Sequence, residues 1–266
     1  MKTLRLIGMA LMAVLVCVNF AACVELQSAD GDGGGDGGSG SKRLKEVHTV
    51  GETDNTTSFK YNEDGELIQI VEEEMESNGN KMVRTYKFHW ADNSIDIDRE
   101  DYYMYYYNGE KKEHYNNYSF MLTLEGGLVQ SCAEENDEVT YYNYNDNGRI
   151  ASINGRYEAR IDWNGDKMIR VSAYEAETEI SYGKTCSKGF FPLMGSQIVG
   201  PYEELFNACP ELIGALSNKL PTKAQIYDDG RTLTTNVSYK YKDGYVSHIS
   251  TRSSSGYTQE IDITWE

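Results

Sequence analysis

After its first eighteen residues this 266-residue chain has no long apolar run, and it carries only 4 prolines, 4 histidines and few basic residues. Each shortage excludes something. A spanning helix needs about 20 consecutive apolar residues, and nothing beyond the N-terminus supplies them. His48, His89, His114 and His248 lie far apart with no HExxH or comparable spacing, so no metal centre is predicted. With 25 basic residues against 42 acidic ones the formal charge is −17, which repels phosphate backbones and disfavours nucleic acid as a partner. No phosphate loop, nucleophile motif or cofactor signature stands out, so neither a cofactor nor a catalytic residue is predicted. Cysteine is also sparse: of the 5, Cys17 lies in the N-terminal apolar run and Cys23 just after it. Cys132, Cys186 and Cys209 remain, an odd number; Cys186 and Cys209 admit a disulfide, with free buried thiols the alternative.

Lys2 and Arg5 precede the apolar run from Leu6 to Val18, which breaks into "NFAAC", Asn19 to Cys23. Basic, apolar and small-residue regions in that order make a secretory signal, residues 1–22. A Cys directly after two alanines resembles a bacterial lipobox, with Phe20 standing where an aliphatic residue is usual. The resemblance implies acylation of Cys23 and a membrane tether without a membrane span. The leader removes Lys2 and Arg5 from the 25 basic residues, leaving 23 against 42 acidic ones and a mature formal charge of −19. Residues 23–41 are dominated by Gly, Ser and Asp and read as a flexible acidic stalk. Acidic residues soon after such a Cys resemble the export signal of surface lipoproteins of gut Bacteroidota.

From residue 42 to 266 the chain has one texture, that of a single β domain. Its 21 tyrosines and dominant period-two alternation predict antiparallel strands. In "RYEARIDW", Tyr157, Ala159, Ile161 and Trp163 fall on one face and Arg156, Glu158, Arg160 and Asp162 on the other; Tyr257, Ile261, Ile263 and Trp265 repeat the pattern against Glu260 and Asp262. Asn78-Gly79, Asn108-Gly109, Asn164-Gly165, Asp229-Gly230 and Asp243-Gly244 suit tight hairpins, and Asp64-Gly65 and Asn147-Gly148 slightly longer loops. Runs between such turns predict an all-β antiparallel meander of roughly fifteen strands, more than an open sheet holds without curling or splitting.

One unit recurs. "FKYNEDGELIQI" and "YNYNDNGRIASI" match position for position, "SYKYKDGYVSHI" shortens the loop by one residue and "RIDWNGDKMIRV" by two. A unit whose loop length drifts while its apolar alternation persists conserves strand faces rather than a site. The texture breaks near 201–219, where Pro201, acidic Glu203 and Glu204, and the apolar Leu205, Phe206, Leu212, Ile213 and Leu216 predict one helical insertion divided at Pro210. It reads either as a lid or partner-binding helix or as a plug against one end of the sheet.

Candidate chemistry is thin. Asn143, Asn145 and Asn147 before Gly148 imitate a calcium loop, but Asn replaces the first Asp and Asn154 the final Glu, so the segment reads as a hairpin. Asp96, Asp98 and Glu100 share a strand face and read as a solvated acidic row. "DYYMYYYNG" is the strongest non-catalytic feature: Tyr102, Met104 and Tyr106 share one face, and Tyr103, Tyr105 and Tyr107 the other. Tyr102, Tyr103, Tyr105, Tyr106 and Tyr107 are the candidate ligand-binding aromatics, because such rings stack on sugars and anchor protein partners.

The lipobox-like leader, the stalk, "KRLKEV", the "FKYNEDGELIQI" hairpins, the insertion ending in "KLPTKAQIYDDG" and the closing "VSYKYKDGYVSHISTRSSSGYTQEIDITWE" together resemble an uncharacterised family of Bacteroidota lipoproteins, a domain of unknown function with a porin-like β fold. The resemblance implies a porin-like fold and brings no catalytic residue. Because acidic runs such as Glu72 to Glu74 lie on the strands, the expected form is a soluble barrel or flattened sandwich with apolar side chains inward. The function this implies is a non-catalytic outer-membrane lipoprotein, surface-exposed or periplasmic-facing, that binds a glycan or a protein through an aromatic-lined surface or cavity. The alternative is a glycosidase-like hydrolase using paired carboxylates.

Overall fold

The computed structural model describes residues 14–15, 42–51, 54–134, 139–155, 158–173, 176–186, 193–194, 203–214, 219–228 and 230–266. Cys23, the stalk, Tyr157, Leu216 and all of the leader but Val14 and Leu15 lie outside these residues. The barrel strands are β1 Leu44–Val50, β2 Asp54–Tyr61, β3 Leu67–Met75, β4 Lys81–Ala91, β5 Ser94–Tyr107, β6 Glu110–Glu125, β7 Leu128–Glu134 and β8 Thr140–Tyr144. They continue as β9 Ile150–Asn154, β10 Ala159–Asn164, β11 Lys167–Ala173, β12 Ala176–Cys186, β13 Lys219–Asp228, β14 Arg231–Lys242, β15 Tyr245–Ser253 and β16 Thr258–Trp265. Each pairs with its sequence neighbours, and β16 returns to β1 through Ile261↔Thr49 and Ile263↔Val47. Two backbone hydrogen bonds of 2.9 Å, exchanged between Arg43 and Glu266, finish the seam. Away from the barrel, Val14 and Leu15 pair with Met194 and Leu193.

The sheet is therefore a closed sixteen-strand barrel, and the expectation of roughly fifteen strands with a flattened sandwich as an alternative is corrected on both counts. Closure follows from the end strands: both alternate inward apolar with outward polar residues, and pairing them removes the two edges an open sheet would expose. The turn chemistry is mostly as expected. Asn108 and Asp243 take φ of 51° and 56° ahead of glycines, as a type I′ turn requires. Two details differ. The tight loop at Asn164 is Gly165-Asp166, since Asn164 still pairs with Lys167, and an unmarked pair, Gly126-Gly127, makes another turn with φ of 59° and 81°.

All turns at one end, including 62–66, 145–149 and 243–244, share that end with Arg43 and Glu266. Of the eight strands that leave it, seven carry a register shift within their first residues; β5 is regular. The shift puts residues three apart on the inner face, so Leu44 and Val47, Leu67 and Ile70, Ile150 and Ile153, and Val246 and Ile249 are all buried. Each of the eight strands arriving at that end contributes one half-buried inward side chain to a girdle: Tyr61, Trp90, Leu124, Tyr144, Trp163, Tyr182, Tyr239 and Trp265.

The two features interlock. A bulge leaves a backbone carbonyl off the ladder, and the girdle donates into it. The Nε1–H groups of Trp90, Trp163 and Trp265 donate to the carbonyls of Leu67, Ile150 and Val246 at 2.6, 2.7 and 2.7 Å. The hydroxyls of Tyr144, Tyr182 and Tyr239 donate to those of Val129, Met168 and Pro221 at 2.6, 2.8 and 2.6 Å. The recurring "FKYNEDGELIQI" unit thus carries a turn and a bulge whose freed carbonyl, that of Leu67, accepts from Trp90, the aromatic on the next strand to arrive at this end.

The predicted insertion near 201–219 is smaller than expected. Among the described residues it holds a six-residue helix, α1 Glu203–Ala208, and a 3-10 turn, Pro210–Ile213, broken at Cys209. Proline at 210 lacks the amide that would continue the helix. Leu205, Phe206, Ala208, Leu212 and Ile213 are buried, with Phe206 edge-on to Tyr142 at 5.8 Å between centroids. The segment is a plug at this mouth of the barrel rather than a lid. Its Cys209 is a buried free thiol, so the disulfide to Cys186 is not formed. The outer surface is charged and cross-linked by ion pairs such as Lys87–Glu100 and Arg170–Glu179, at 2.7 and 3.2 Å. That is the reverse of a lipid-facing barrel wall, which is apolar.

Candidate functional site

The end opposite the plug is built differently. Its inward side chains turn polar: Thr49, Thr57, Glu72, Asp101, Thr140, Thr235, Thr251, Ser253 and Gln259 are all buried. The polarity is richest across β3 to β6, where cross-strand register stacks rows of inward residues. Ile70, Tyr86, Arg99 and Tyr118 form one row, Glu72, Arg84, Asp101 and Asn116 the next, and Glu74, Met82, Tyr103 and His114 the row nearest the rim.

The middle rows are tied together by charge. Arg99 binds Asp101 with both Nε and Nη2, and its guanidinium lies over the rings of Tyr118 and Tyr86, at 4.9 and 5.9 Å from their centroids. Asp101 also accepts from the Tyr103 hydroxyl at 3.1 Å. Glu72 faces Arg84 at 3.7 Å and accepts from the Tyr86 hydroxyl at 3.3 Å. Each buried carboxylate is thus occupied by a guanidinium and a phenol, the arrangement that lets a charge sit out of water.

Above these rows the strands lengthen. β5 has 14 residues and β6 has 16, against 5 to 12 in the other barrel strands. Pairing with β4 ends at Lys81↔Met104 and pairing with β7 begins at Phe120↔Glu134, so Tyr105 to Lys112 stands beyond both neighbours among the described residues. This hairpin carries every tyrosine the sequence singled out. Tyr103 and Tyr105, on its inner face, line a cavity of about 170 Å3 with Glu74, Glu76, Asn80, Lys81, Met82 and Met104. The 76–80 turn closes its side, where Asn80 Oδ1 accepts from the Tyr106 amide at 3.2 Å.

Tyr102 and Tyr106 face outward and Tyr107 stands at the tip, 63 % exposed. Tyr102 stacks at a tilt on Tyr115 with 5.0 Å between centroids and donates to Glu113 at 2.9 Å. Hydrogen bonds from Lys111 and Tyr102 hold the Glu113 carboxyl below its usual range. The structure therefore brings Tyr103 and Tyr105 to a cavity and leaves Tyr102, Tyr106 and Tyr107 outside it. The cavity's remaining wall, Glu74 to Met82, lies on the neighbouring hairpin, where the sequence signalled a turn at Asn78-Gly79 and an acidic run but no binding residue.

The other candidates disperse. Asp96, Asp98 and Glu100 are exposed on the outer wall, where Asp98 faces His89 at 3.4 Å and Glu100 meets Lys87. His48 pairs with Asp54 at 2.8 Å, and His248 with Asp262 and Glu260 at 2.7 and 2.8 Å. Among the described residues no group of three or more metal-binding side chains gathers. The Asn145 loop is a hairpin whose Oδ1 accepts from the amides of Asn147 and Arg149 at 3.0 and 3.1 Å.

No protein-family model matches the sequence, and a search of curated proteins finds no relative. Among solved structures the fold is similar to a porin-like protein from Bacteroides uniformis, with a TM-score of 0.61 at 13 % identity over 85 % of this chain and 99 % of that one. A porin-like protein from Bacteroides vulgatus aligns over the same shares at 11 % identity with a TM-score of 0.37. The first likeness establishes what the pairing already describes: this chain has a porin-like β-barrel fold.

Proposed function

We propose that this chain is a non-catalytic binding module of the bacterial envelope, acylated at Cys23, which holds a glycan or protein ligand at the open rim of its barrel. The observation that carries the reading is the β5–β6 hairpin, which outgrows its neighbours and sets Tyr103 and Tyr105 on a cavity while Tyr106 and Tyr107 stay exposed. A hairpin extended only for stability would cover its rings, because each half-exposed tyrosine leaves apolar area in water. The likeness to a porin-like barrel is compatible with a non-catalytic role. The hydrolase alternative draws no comparable support: Glu72 and Asp101, the buried carboxylates of this region, are each engaged by arginine and tyrosine.

The proposed lipid anchor rests on "AAC" at Ala21 to Cys23, and the proposed location is the outer membrane, surface-exposed or periplasmic-facing. Growth with an alkyne fatty acid should label the wild-type protein and leave a Cys23→Ala variant unlabelled. For the rim, glycan arrays and capture of envelope proteins should give a signal that Tyr103→Ala/Tyr105→Ala reduces about tenfold or more. A signal unchanged by that pair removes the cavity from the binding surface.

A further inference from the structure

The rim cavity presents from the inner face two carboxylates, two phenol rings and one thioether, from Glu74, Glu76, Tyr103, Tyr105 and Met82, while Lys81 and Met104, which border it, pair with each other on the outer face. Its single cation, Lys81, is already held by Glu73 at 2.7 Å. One oxygen of Glu76, Oε2, accepts from both Asn78 and Asn80, at 2.8 and 2.9 Å. Glu74 makes no ion pair among the described residues and projects from the same inner row as Met82 and Tyr103. A ring face and a thioether attract a cation through the quadrupole and polarisability of their electrons, and a nearby carboxylate adds Coulomb attraction. A neutral sugar needs an array of paired donors and acceptors, whereas here the Tyr103 hydroxyl is committed to Asp101 and the Asn80 amide to Glu76, which leaves the cavity dominated by carboxylate acceptors. The whole-chain charge of −17 also concentrates cations at the surface.

Resting on the binding role assigned to this rim, we propose that the cavity takes a small organic cation, an alkylammonium group on a slender stem, with Glu74 as its counter-ion and the rings of Tyr103 and Tyr105 as its walls. The ammonium could come from a free amine or from an amino sugar, and the two sources are separable.

Isothermal titration of the full chain with cadaverine, with glucosamine, and with neutral N-acetylglucosamine tests this. Cadaverine or glucosamine should bind, N-acetylglucosamine should not, and added salt should weaken the binding. Glu74→Gln, isosteric and on a half-exposed position, and Tyr105→Ala at an exposed ring should each weaken binding about tenfold. Binding of cadaverine alone assigns a plain amine, and binding of glucosamine alone an amino sugar. The proposal is overturned if neither cation binds, if N-acetylglucosamine binds as tightly as glucosamine, or if Glu74→Gln leaves the isotherm unchanged. Failure here with a glycan or protein signal still lost in Tyr103→Ala/Tyr105→Ala overturns the ligand chemistry and leaves the binding role standing. Cation binding with a glycan or protein signal indifferent to those tyrosines overturns the glycan or protein role instead.

Discussion

Glu211 lies in the 3-10 turn of the plug with its Oε2 buried and without a hydrogen-bond partner among the described residues. Burial pushes its carboxyl up to about 7. Its own backbone N–H offsets only part of this, and the neighbouring Tyr61 and Cys209 thiol stay neutral, both raised by burial. Because the folded state holds this proton more tightly than the unfolded chain does, the associated stability is fully present below the ordinary carboxyl pKa of 4.5 and is lost as pH rises through about 7. The shift corresponds to roughly 3 kcal/mol at 1.36 kcal/mol per unit. Urea unfolding at pH 5 and pH 8 should show wild type losing up to about that much relative to a Glu211→Gln variant; parallel pH profiles would refute the assignment. Gly214 ends the same turn at φ 67°, and a Cβ there would stand 1.8 Å from the Gly148 carbonyl oxygen. Gly214→Ala should therefore cost about 2–4 kcal/mol through backbone strain and overlap, read as a lowered urea midpoint. Neither residue was legible in the sequence: the Gly214 effect arises where the insertion meets a turn 66 positions away, and the Glu211 effect where it is buried near Tyr61, 150 positions away.

At the scale of the element, face assignment was legible and hydrogen-bond logic was not. Alternation placed Ile161, Trp163, Ile261, Ile263 and Trp265 on the inner face, where the barrel has them, because period two admits one solution once a face is buried. Leu67 and Ile70, spaced by three, were visible as a conserved feature of the repeat. Their meaning as a bulge depends on the register of β2 against β3, which no single segment contains. The aromatic donors follow from that register. Trp163→Phe keeps most of the ring and removes the donor to the Ile150 carbonyl. It should cost about 1–2 kcal/mol, against about 3–5 for Trp163→Ala, which also empties the girdle position. Tyr144→Phe strands two carbonyls, those of Val129 and Leu212, and so couples the barrel to the plug. Leu212→Ala keeps the carbonyl at 212 but removes the buried side chain that seats it, so a double-mutant cycle with Tyr144→Phe should be non-additive through the loosened plug, while a cycle of Trp163→Phe with Leu212→Ala should be closer to additive. The helix was over-read for a related reason. Leu205, Phe206, Leu212 and Ile213 are apolar because they fill a mouth, and a plug of two short turns satisfies that as well as one longer helix does.

For the whole molecule, meander order was implicit in the short turns, while closure and polarity of the two ends emerge only when sixteen strands are aligned. Those ends carry opposite chemistry, and the chain's course sets which one the proposed anchor at Cys23 would hold toward a membrane. Arg43 and Glu266 meet at the plugged end, so the proposed stalk leaves from there and the tyrosine hairpin points the other way. A glycine-rich coil of the length of residues 23–41 would span about 25 Å on average, so a barrel tethered through the proposed stalk should keep its plugged end toward the lipid. Single thiols at Asp64→Cys, in a plug-end turn, and at Tyr107→Cys, at the exposed hairpin tip, would report this in a Cys186→Ser background. Cys132 and Cys209 are buried and should resist labelling. Energy transfer from the label to an acceptor lipid should be stronger from position 64 than from position 107, and the difference should vanish when Cys23→Ala releases the chain from the vesicle. Equal transfer from both positions in the anchored protein would mean that the barrel lies on its side. Stronger transfer from 107 would put the tyrosine rim against the membrane, and a lipid headgroup would then replace a soluble cation as the occupant of the cavity.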